Sequence, residues 1–402
     1  MTIIAQLPVS SLTDQAWDVI VVGAGPAGAI CALVLARSGH RALVVDRAEF
    51  PRDKTCGDQL MPDSINLLEK LGLLERVRAV GLAQDRIRVF SPSRIDFVVS
   101  GRFIGIRRLE FDMLLMQAAV EAGVSFAQGT VVDIKPSISG KALVHAEEAA
   151  EPLQARVVVL ATGTSVNLAD KLGLIDRRQP SAVAMRTYIE SDYPLDESFL
   201  SYDRSLLPGY AWVCRVGNNR FNVGCGMRFG TGLTPDSLRP KMAEFMREFP
   251  LVKELTRQGR RVSEFRGAPL RCGLAGCRGF VRDNVLCVGE VIGTTFPFTG
   301  EGIGTAMQTG LLAGETIGLA IEKGDLGQLC TYADRIDCEL RPTFRGYRTA
   351  EKWLSKPWVN DFMAKRFRRS RYLQELQDGL FTASADPQTL FSFRSVAKSF
   401  WK

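Results

Sequence analysis

The 402-residue sequence predicts an α/β protein with a Rossmann-like domain, an inserted antiparallel sheet and a C-terminal helical segment. Three patterns support this fold class. Two runs of β-branched residues flank a glycine-rich turn and an apolar helix near the N-terminus. Apolar residues alternate in "AVAMRTYIE", "GYAWVCRV" and "RFNVGCGM", which is typical of antiparallel strands. In the last quarter of the chain, apolar residues recur at helical spacing.

The first βαβ unit carries a pattern typical of dinucleotide binding. The strand Asp18–Val22 is followed by Gly23, Gly25 and Gly28 with the spacing G-x-G-x-x-G. A second strand ends in Asp46, about twenty residues further on. Such glycines permit a tight turn, the approach of a pyrophosphate and helix–strand packing, and the acid accepts hydrogen bonds from a ribose. The unit therefore predicts a bound nucleotide, although Asp46 alone also suits a turn at a strand end.

Further motifs distinguish this chain from a generic nucleotide-binding protein. They are Pro51-x-x-Lys-x-Cys-Gly, Pro208-Gly-Tyr-x-Trp, Asn222-Val-Gly-x-Gly and the stretch "NVLCVGEVIGTTFPFTGEGIGTAM". Together they resemble the geranylgeranyl reductase family of FAD-dependent oxidoreductases, within the p-hydroxybenzoate-hydroxylase-like flavoproteins. The resemblance covers residues 17–350. The Cys-Gly pair favours the reductase branch, because hydroxylase relatives usually lack it.

The resemblance implies FAD as the cofactor and assigns residues to its parts. The N-terminal glycine turn would hold the diphosphate, and the C-terminal glycines would lie at the isoalloxazine ring. The implied FAD-binding residues are Gly23, Gly25, Ala27, Gly28, Asp46, Cys56, Gly57, Arg108, Val132, Gly163, Glu290, Gly300, Gly302 and Ile303. Tyr210 and Trp212 would line the substrate pocket, and Cys56 is the candidate catalytic residue. Structural roles remain open for Arg108 at a helix start, for Cys56 as a small apolar group and for the Tyr–Trp pair as core.

Three positions depart from the family pattern. Glu290 stands where Asp is common, and Thr162 precedes Gly163 where the family has Asp. Cys214-Arg-Val follows the Tyr-x-Trp motif in place of Phe-Pro-Lys. The second departure leaves the electron donor open between NAD(P)H, ferredoxin and flavodoxin. The third leaves the substrate open.

The implied activity is the reduction of C=C bonds in a prenyl or lipid-like substrate by hydride from flavin N5. An FAD-dependent monooxygenase or oxidase, including one acting on a protein-bound residue, is the alternative, because the cofactor carries the chemistry in both cases. A non-catalytic flavoprotein is a further alternative. The expected proton donors are Cys56, Tyr210 or a water molecule.

The domain prediction follows from these segments. An FAD-binding domain is expected at 17–180 and 265–325, a substrate-binding sheet at 181–264, and a helical basic region at 326–402. From Arg341 to Lys402 there are thirteen Lys or Arg against five Asp or Glu, which accounts for the whole formal charge of +7.

The partners are expected to be a hydrophobic small molecule or a protein-bound substrate, with no nucleic acid. The basic region predicts peripheral membrane contact of a cytoplasmic protein, and a solvated charged face is the simpler interpretation. With only two histidines, no His-rich metal site is expected. The nine cysteines lack CxxC pairs, so free thiols are expected, with a Cys272–Cys277 disulfide as the alternative.

Overall fold

The computed structural model describes residues 4–138, 140–207, 209–228, 234, 236–381, 387–390 and 392–398. Its strands are β1 (Leu7–Pro8), β2 (Ala16–Val22), β3 (Ala42–Asp46), β4 (Gln59–Leu60), β5 (Leu82–Phe90), β6 (Asp96–Gly105), β7 (Ser125–Gln128), β8 (Val131–Lys135), β9 (Ala142–Ala146), β10 (Leu153–Leu160), β11 (Ala182–Ser191), β12 (Ser198–Ser201), β13 (Tyr210–Arg215), β14 (Arg220–Arg228), β15 (Gly259–Arg261), β16 (Arg266–Leu270), β17 (Val281–Arg282) and β18 (Val285–Cys287).

The α-helices are α1 (Pro26–Arg37), α2 (Pro62–Lys70), α3 (Leu74–Arg78), α4 (Arg108–Glu121), α5 (Asn167–Lys171), α6 (Leu238–Glu248), α7 (Pro250–Arg257), α8 (Ile303–Glu322), α9 (Thr331–Glu339), α10 (Arg341–Leu354), α11 (Pro357–Arg369), α12 (Arg371–Phe381), α13 (Pro387–Leu390) and α14 (Phe393–Lys398). Short 3-10 segments lie at Val9–Leu12, Gly289–Ile292 and Leu326–Cys330. The α/β fold class predicted from the sequence is confirmed.

The first sheet, here the nucleotide sheet, has the strand order β1-β7-β3-β2-β10-β18-β17. Pairs from β1 through β18 along this order are parallel, and β17 is antiparallel to β18. The hairpin β8–β9 joins at β10. Strands β2, β3 and β10 are apolar almost throughout because helices cover both faces of a parallel sheet. This is the Rossmann-like arrangement.

The second sheet, here the substrate sheet, has the order β15-β11-β14-β13-β12-β5-β6-β4, and β16 also pairs with β11. The predicted insertion 181–264 supplies β11 to β15. Strands β4, β5 and β6 come from the 59–105 region, and β16 follows the insertion. The sheet is therefore larger than the predicted segment. The hairpin β5–β6 joins it through a parallel pairing with β12, more than a hundred residues further along the chain, and such a pairing leaves no local sequence signal.

Helices α1 and α8 pack so closely that their backbones touch. A Cβ added to Gly310 would lie 2.2 Å from the carbonyl oxygen of Ala27. A Cβ at Gly314 would lie 2.9 Å from Cβ of Val34. Gly310 and Gly314 therefore allow the two helices to pack closely. This contact places both helix N-termini beside one cavity.

The C-terminal helices pack against the substrate sheet rather than extending into solvent. Phe367 of α11 stacks on Phe97 of β6 with ring centroids 5.0 Å apart. The carboxylate of Asp361 accepts hydrogen bonds from Ser91 and Ser93 next to β5. In the described part of the chain, none of the helices combines the length and the apolar character needed to cross a bilayer. The nine cysteines, Cys272 and Cys277 included, are free thiols.

The α1–α8 contact yields a matched pair of glycine variants. Gly310→Ala is expected to lower the free energy of unfolding by about 1–3 kcal/mol, because the new methyl group must displace backbone. Gly318→Ala in the same helix meets only His40 at 3.4 Å, so it is expected to be neutral or stabilising by about 0.5–1 kcal/mol. Denaturant unfolding of the apo proteins measures both. Equal effects of the two variants would contradict the close contact.

Candidate active site

A cavity of about 1270 Å³ is lined by residues of both sheets and of α8. The lining contains nearly all candidate residues: Gly23, Gly25, Ala27, Asp46, Cys56, Gly57, Arg108, Val132, Gly163, Glu290, Gly300, Gly302, Ile303, Tyr210 and Trp212. Gly28 lies outside the lining, and a Cβ there would lie 2.0 Å from the carbonyl oxygen of Gly23. Glycine is therefore required at position 28 because the turn leaves no room for a side chain. Pro208, part of a motif singled out in the sequence, lies outside the described residues.

The nucleotide end of the cavity is formed by the turn between β2 and α1. Gly23 has φ +110°, and a Cβ there would lie 2.3 Å from the carbonyl oxygen of Ala161. Gly25 is different, since the nearest atom to its added Cβ is Arg52 Nη2 at 3.7 Å. Helix α1 begins at Pro26 with no side-chain cap. Its N-terminal N–H groups are therefore free to bind an anion.

Asp46, at the end of β3, is held by the backbone beside this turn. Its Oδ2 accepts a hydrogen bond from Ala24 N at 2.8 Å, and its Oδ1 accepts one from Ala48 N at 2.9 Å. Each carboxylate oxygen keeps a free lone pair for a ribose hydroxyl. Val132 lies where the β8–β9 register shifts, and its carbonyl accepts from Lys171 Nζ at 2.9 Å.

Two arginines lie next to the helix start. Arg108 is 8% exposed and donates from Nε and Nη2 to both oxygens of Asp112, at 2.6 and 2.7 Å. Arg52 Nη1 is 3.0 Å from Asp112 Oδ2, and both arginines line the cavity. The two arginines therefore share the carboxylate of Asp112. Arg52 was missed from the sequence, although it lies within the Pro51-x-x-Lys-x-Cys-Gly motif.

The second glycine stretch forms the opposite wall. Gly289 has φ +73°, and Glu290 Oε1 accepts hydrogen bonds from Arg271 N at 3.3 Å and Thr295 Oγ1 at 3.2 Å. Helix α8 begins at Ile303 with Gly302 as its N-cap residue and no side-chain cap. A second uncapped helix N-terminus therefore faces the cavity. It is positioned to stabilise negative charge on a bound group.

The Cys56–Gly57 turn and the start of α8 meet on a pair of aromatic rings. Tyr210 and Trp212 point to the same face of β13, with ring centroids 5.9 Å apart. A Cβ at Gly57 would lie 3.6 Å from Trp212 Nε1, and one at Gly300 would lie 2.7 Å from the Tyr210 hydroxyl. This pair thus sets the distance between the two glycine-containing walls.

A buried polar network behind Cys56 was not predicted from the sequence. Asp58 is fully buried, and its Oδ2 accepts hydrogen bonds from the Tyr188 hydroxyl and from Asn222 Nδ2. Asn222 Nδ2 also donates to the carbonyl of Cys56 at 2.8 Å, and Asn222 Oδ1 accepts from Trp212 Nε1 at 2.9 Å. The network therefore fixes the Cys56 backbone against the aromatic pair. Asn222 belongs to a motif seen in the sequence, but its partners lie far away in the chain.

The loop before Cys56 is anchored by ion pairs to the substrate sheet. Asp53 pairs with the fully buried Arg186 of β11 at 2.6 Å and with Arg266 of β16 at 2.9 Å. Arg186 also stacks over the ring of Tyr188, with its Cζ 4.3 Å from the ring centroid. Breaking such a buried pair is costly because it leaves an uncompensated charge.

Three acids at the cavity differ in protonation. Burial raises the pKa of Asp58 to about 6, while hydrogen bonds from Tyr188 and Asn222 limit the rise. Burial raises the pKa of Glu301 to about 8, and the negative charge of Asp63 adds to this. Burial also raises the pKa of the Cys56 thiol, and the charge of Arg108 opposes it. Cys56 is therefore a neutral thiol at pH 7, and Glu301 is mainly a neutral acid.

These features fit a flavin dinucleotide. An uncapped helix start with nearby cations suits a diphosphate, a strand-end carboxylate suits a ribose, and a second helix start suits the electron-rich edge of a reduced flavin ring. The fold and site define an FAD-dependent oxidoreductase, and a family model described as an FAD binding domain matches residues 16–209.

The chain belongs to the geranylgeranyl reductase-like family of these enzymes. It is 31% identical to menaquinone reductase of Mycobacterium tuberculosis, over 76% of this chain and 77% of that protein. It is 30% identical to digeranylgeranylglycerophospholipid reductase 1 of Methanopyrus kandleri, over 84% of this chain and 90% of that protein. The crystal structure of a geranylgeranyl bacteriochlorophyll reductase-like protein from Thermoplasma acidophilum matches with a TM-score of 0.78 and 19% identity, covering 96% of each chain.

A substitution at Gly25 is expected to separate cofactor binding from folding. Gly25→Val has room in the apo protein and an ordinary φ of −74°, but its side chain would occupy the space before the α1 N-terminus. FAD affinity is expected to fall at least about tenfold, or about 1.4 kcal/mol, at nearly unchanged apo stability. Flavin fluorescence titration measures the affinity. Gly23→Ala is the contrasting variant and should impair folding itself. An unchanged affinity in Gly25→Val would exclude the diphosphate from this turn.

Asp58 is expected to make stability depend on pH in the acidic range. Between pH about 3.9 and 6 the folded protein holds a proton on Asp58 that the unfolded chain releases. The proton on Asp58 therefore adds up to about 3 kcal/mol to the free energy of unfolding below pH 4, and this stabilisation is lost as the pH rises to 6. Asp58→Asn should be less stable overall yet lack this slope, as measured by denaturant unfolding of the apo protein from pH 4 to 7. The exposed Asp85→Asn is the control, and a retained slope in Asp58→Asn would refute the assignment.

Proposed function

We propose that this enzyme reduces C=C bonds of a prenyl or lipid-like substrate, with FAD bound along the cavity by the glycine turns, Asp46, Arg108 and Glu290. The observation that carries the proposal is the continuity of the cofactor cradle with an apolar end. That end is lined by Ile87, Phe199, Leu200, Tyr210, Trp212 and Phe298. Two relatives are named menaquinone reductase and digeranylgeranylglycerophospholipid reductase, which supports a lipid-like substrate.

The walls of the apolar end suit a long hydrocarbon better than a small polar molecule. Two of the lining rings pack on Tyr202, which is not itself part of the lining: Phe298 stacks on it with ring centroids 4.9 Å apart, and Tyr210 packs against it at 5.8 Å. The Tyr210 hydroxyl is engaged with the carbonyl of Thr299. Apolar surfaces of this kind bind alkyl chains through burial, at about 25 cal/mol per Å². Orientation then comes from shape rather than from hydrogen bonds.

The chemistry needs a hydride and a proton. Reduced FAD, when bound, would supply a hydride from N5, and the alkene carbon that does not receive the hydride would take a proton. Cys56 fits the proton donor because it is a neutral thiol, half-buried at the cavity wall and held through its carbonyl by Asn222. Tyr210 is less suited, because its proton is already donated to a backbone carbonyl. Glu301 is a second neutral acid on the lining.

The first test is direct. The FAD-loaded enzyme is reduced anaerobically, and the recovery of flavin absorbance is followed after adding a geranylgeranyl compound or, separately, O2. Reoxidation by the prenyl compound with slow reaction toward O2 is expected. Fast O2 consumption stimulated by substrate, without prenyl-dependent reoxidation, would favour the monooxygenase alternative and overturn the proposal. Retention of FAD without any turnover would identify a non-catalytic flavoprotein.

The role of Cys56 is tested separately. Cys56→Ala is expected to slow prenyl-dependent reoxidation by about a hundredfold or more, because general acid catalysis contributes on that scale, while chemical reduction of the flavin is unchanged. Cys272→Ala, which removes another half-buried thiol of the same cavity, is the matched control. Equal rates in the two variants would assign the proton to another group, with Glu301→Gln as the next variant to measure.

A further inference from the structure

The surface next to the cavity carries an exposed tryptophan among exposed cations. Trp358 is 71% exposed, near the start of α11. The exposed residues Lys352 and Lys356 precede it, and Lys365 and Arg369 follow it. These five residues are called the docking face.

Helical geometry brings the members of α11 together. Trp358, Lys365 and Arg369 are spaced by seven and four residues, so they lie on one side of the helix. The opposite side carries Met363 and Phe367, which are buried in the cluster against β6. Packing therefore fixes the orientation of the helix, with the tryptophan and both cations pointing outward.

The docking face begins at the cavity itself. Lys352 lines the cavity together with Arg348 and Glu351 of the same helix, and it is exposed to solvent. Lys352 and Trp358 are six residues apart, so their Cα atoms lie within about 20 Å of each other. A surface that binds through Trp358 therefore lies next to this edge of the cavity.

The cations of the docking face have no acidic partner in the part of the chain that the structure describes. Among the described residues, no carboxylate lies within salt-bridge distance of its four cations. The nearby acids have other partners: Glu351 pairs with Arg228 at 3.0 Å, and Asp361 accepts hydrogen bonds from Ser91 and Ser93. Each Lys or Arg near an anionic bilayer contributes about 1 kcal/mol of attraction, and tryptophan favours the headgroup region. An exposed aromatic ring on a surface whose cations have no carboxylate partner in the described part of the chain matches that environment.

We propose that the docking face binds the surface of an anionic lipid bilayer and holds the adjacent edge of the cavity at the headgroups. The protein would lie on the membrane without crossing it. This inference deepens the proposed function, because a lipid-like substrate could then pass from the bilayer into the apolar end of the cavity without entering bulk water. The benefit of membrane binding rests on the proposed function, but the binding itself does not depend on catalysis.

The test uses the FAD-loaded full chain and vesicles of phosphatidylcholine with or without phosphatidylglycerol. Co-sedimentation with the phosphatidylglycerol vesicles is expected, and it should weaken as salt is added. Trp358→Ala and the double variant Lys365→Gln/Arg369→Gln are each expected to bind these vesicles at least about tenfold more weakly than the wild type. Leu319→Ala, at another exposed apolar residue (54% exposed), and Lys141→Gln/Lys253→Gln, at exposed cations elsewhere, are the matched controls and should bind as the wild type does.

The following results would contradict the proposal that the docking face binds a bilayer. Absence of vesicle binding by the wild type, or equal binding by test and control variants, excludes it whatever the enzyme reduces. Binding of single-stranded DNA or an acidic protein with the same variant sensitivity, without vesicle binding, would assign a different partner. Prenyl-dependent reoxidation measured with detergent-dispersed substrate should be unchanged in the variants, so a failure of the proposed reaction is distinguished from a failure of docking.

Discussion

The backbone contact between α1 and α8 is the constraint on which the site depends. Each helix begins at the cavity without a side-chain cap, so the N–H donors of its first turn face the cavity. The two N-termini address different parts of one ligand only if the helices hold a fixed spacing. Gly310 and Ala27 permit that spacing because neither places bulk between the backbones. The glycines of α8 therefore have a geometric role in the packing of the two helices.

A second constraint joins the two sheets through polar groups. Asp58, Asn222 and Tyr188 form a fully hydrogen-bonded cluster in the interior, and Asp53 pairs with two arginines of the substrate sheet. Apolar packing alone would allow the loop around Cys56 to slide, whereas buried hydrogen bonds permit few arrangements. The position of the thiol is thus set by the substrate sheet, although Cys56 follows a segment of the nucleotide domain in sequence.

The sequence predicted what depends on neighbouring residues. The strand before the glycine turn and the apolar helix after it both follow from local patterns, and the predicted strand Asp18–Val22 lies within two residues of the observed bounds. Of the candidate residues that the motifs named, all but Gly28 line the cavity. The motifs named them through resemblance to a family whose cofactor is known.

The remaining features depend on distant pairings. The hairpin β5–β6 joins the substrate sheet through β12, and Asp58 meets Tyr188 and Asn222 across 130 and 164 residues. No periodicity encodes such contacts. Arg52 was visible in a quoted motif, but only the geometry of Asp112 reveals that two arginines share one carboxylate. A carboxylate shared in this way can be recognised only in the folded structure.

The order of the segments along the chain has a consequence for biosynthesis. The glycine turn before α1 emerges early from the ribosome, whereas β18, Glu290 and the start of α8 are made only in the last third of the chain. The substrate sheet also closes late, because β16 pairs with β11 after the whole insertion has been translated. Both glycine-containing walls of the cavity are therefore present only after most of the chain has been translated.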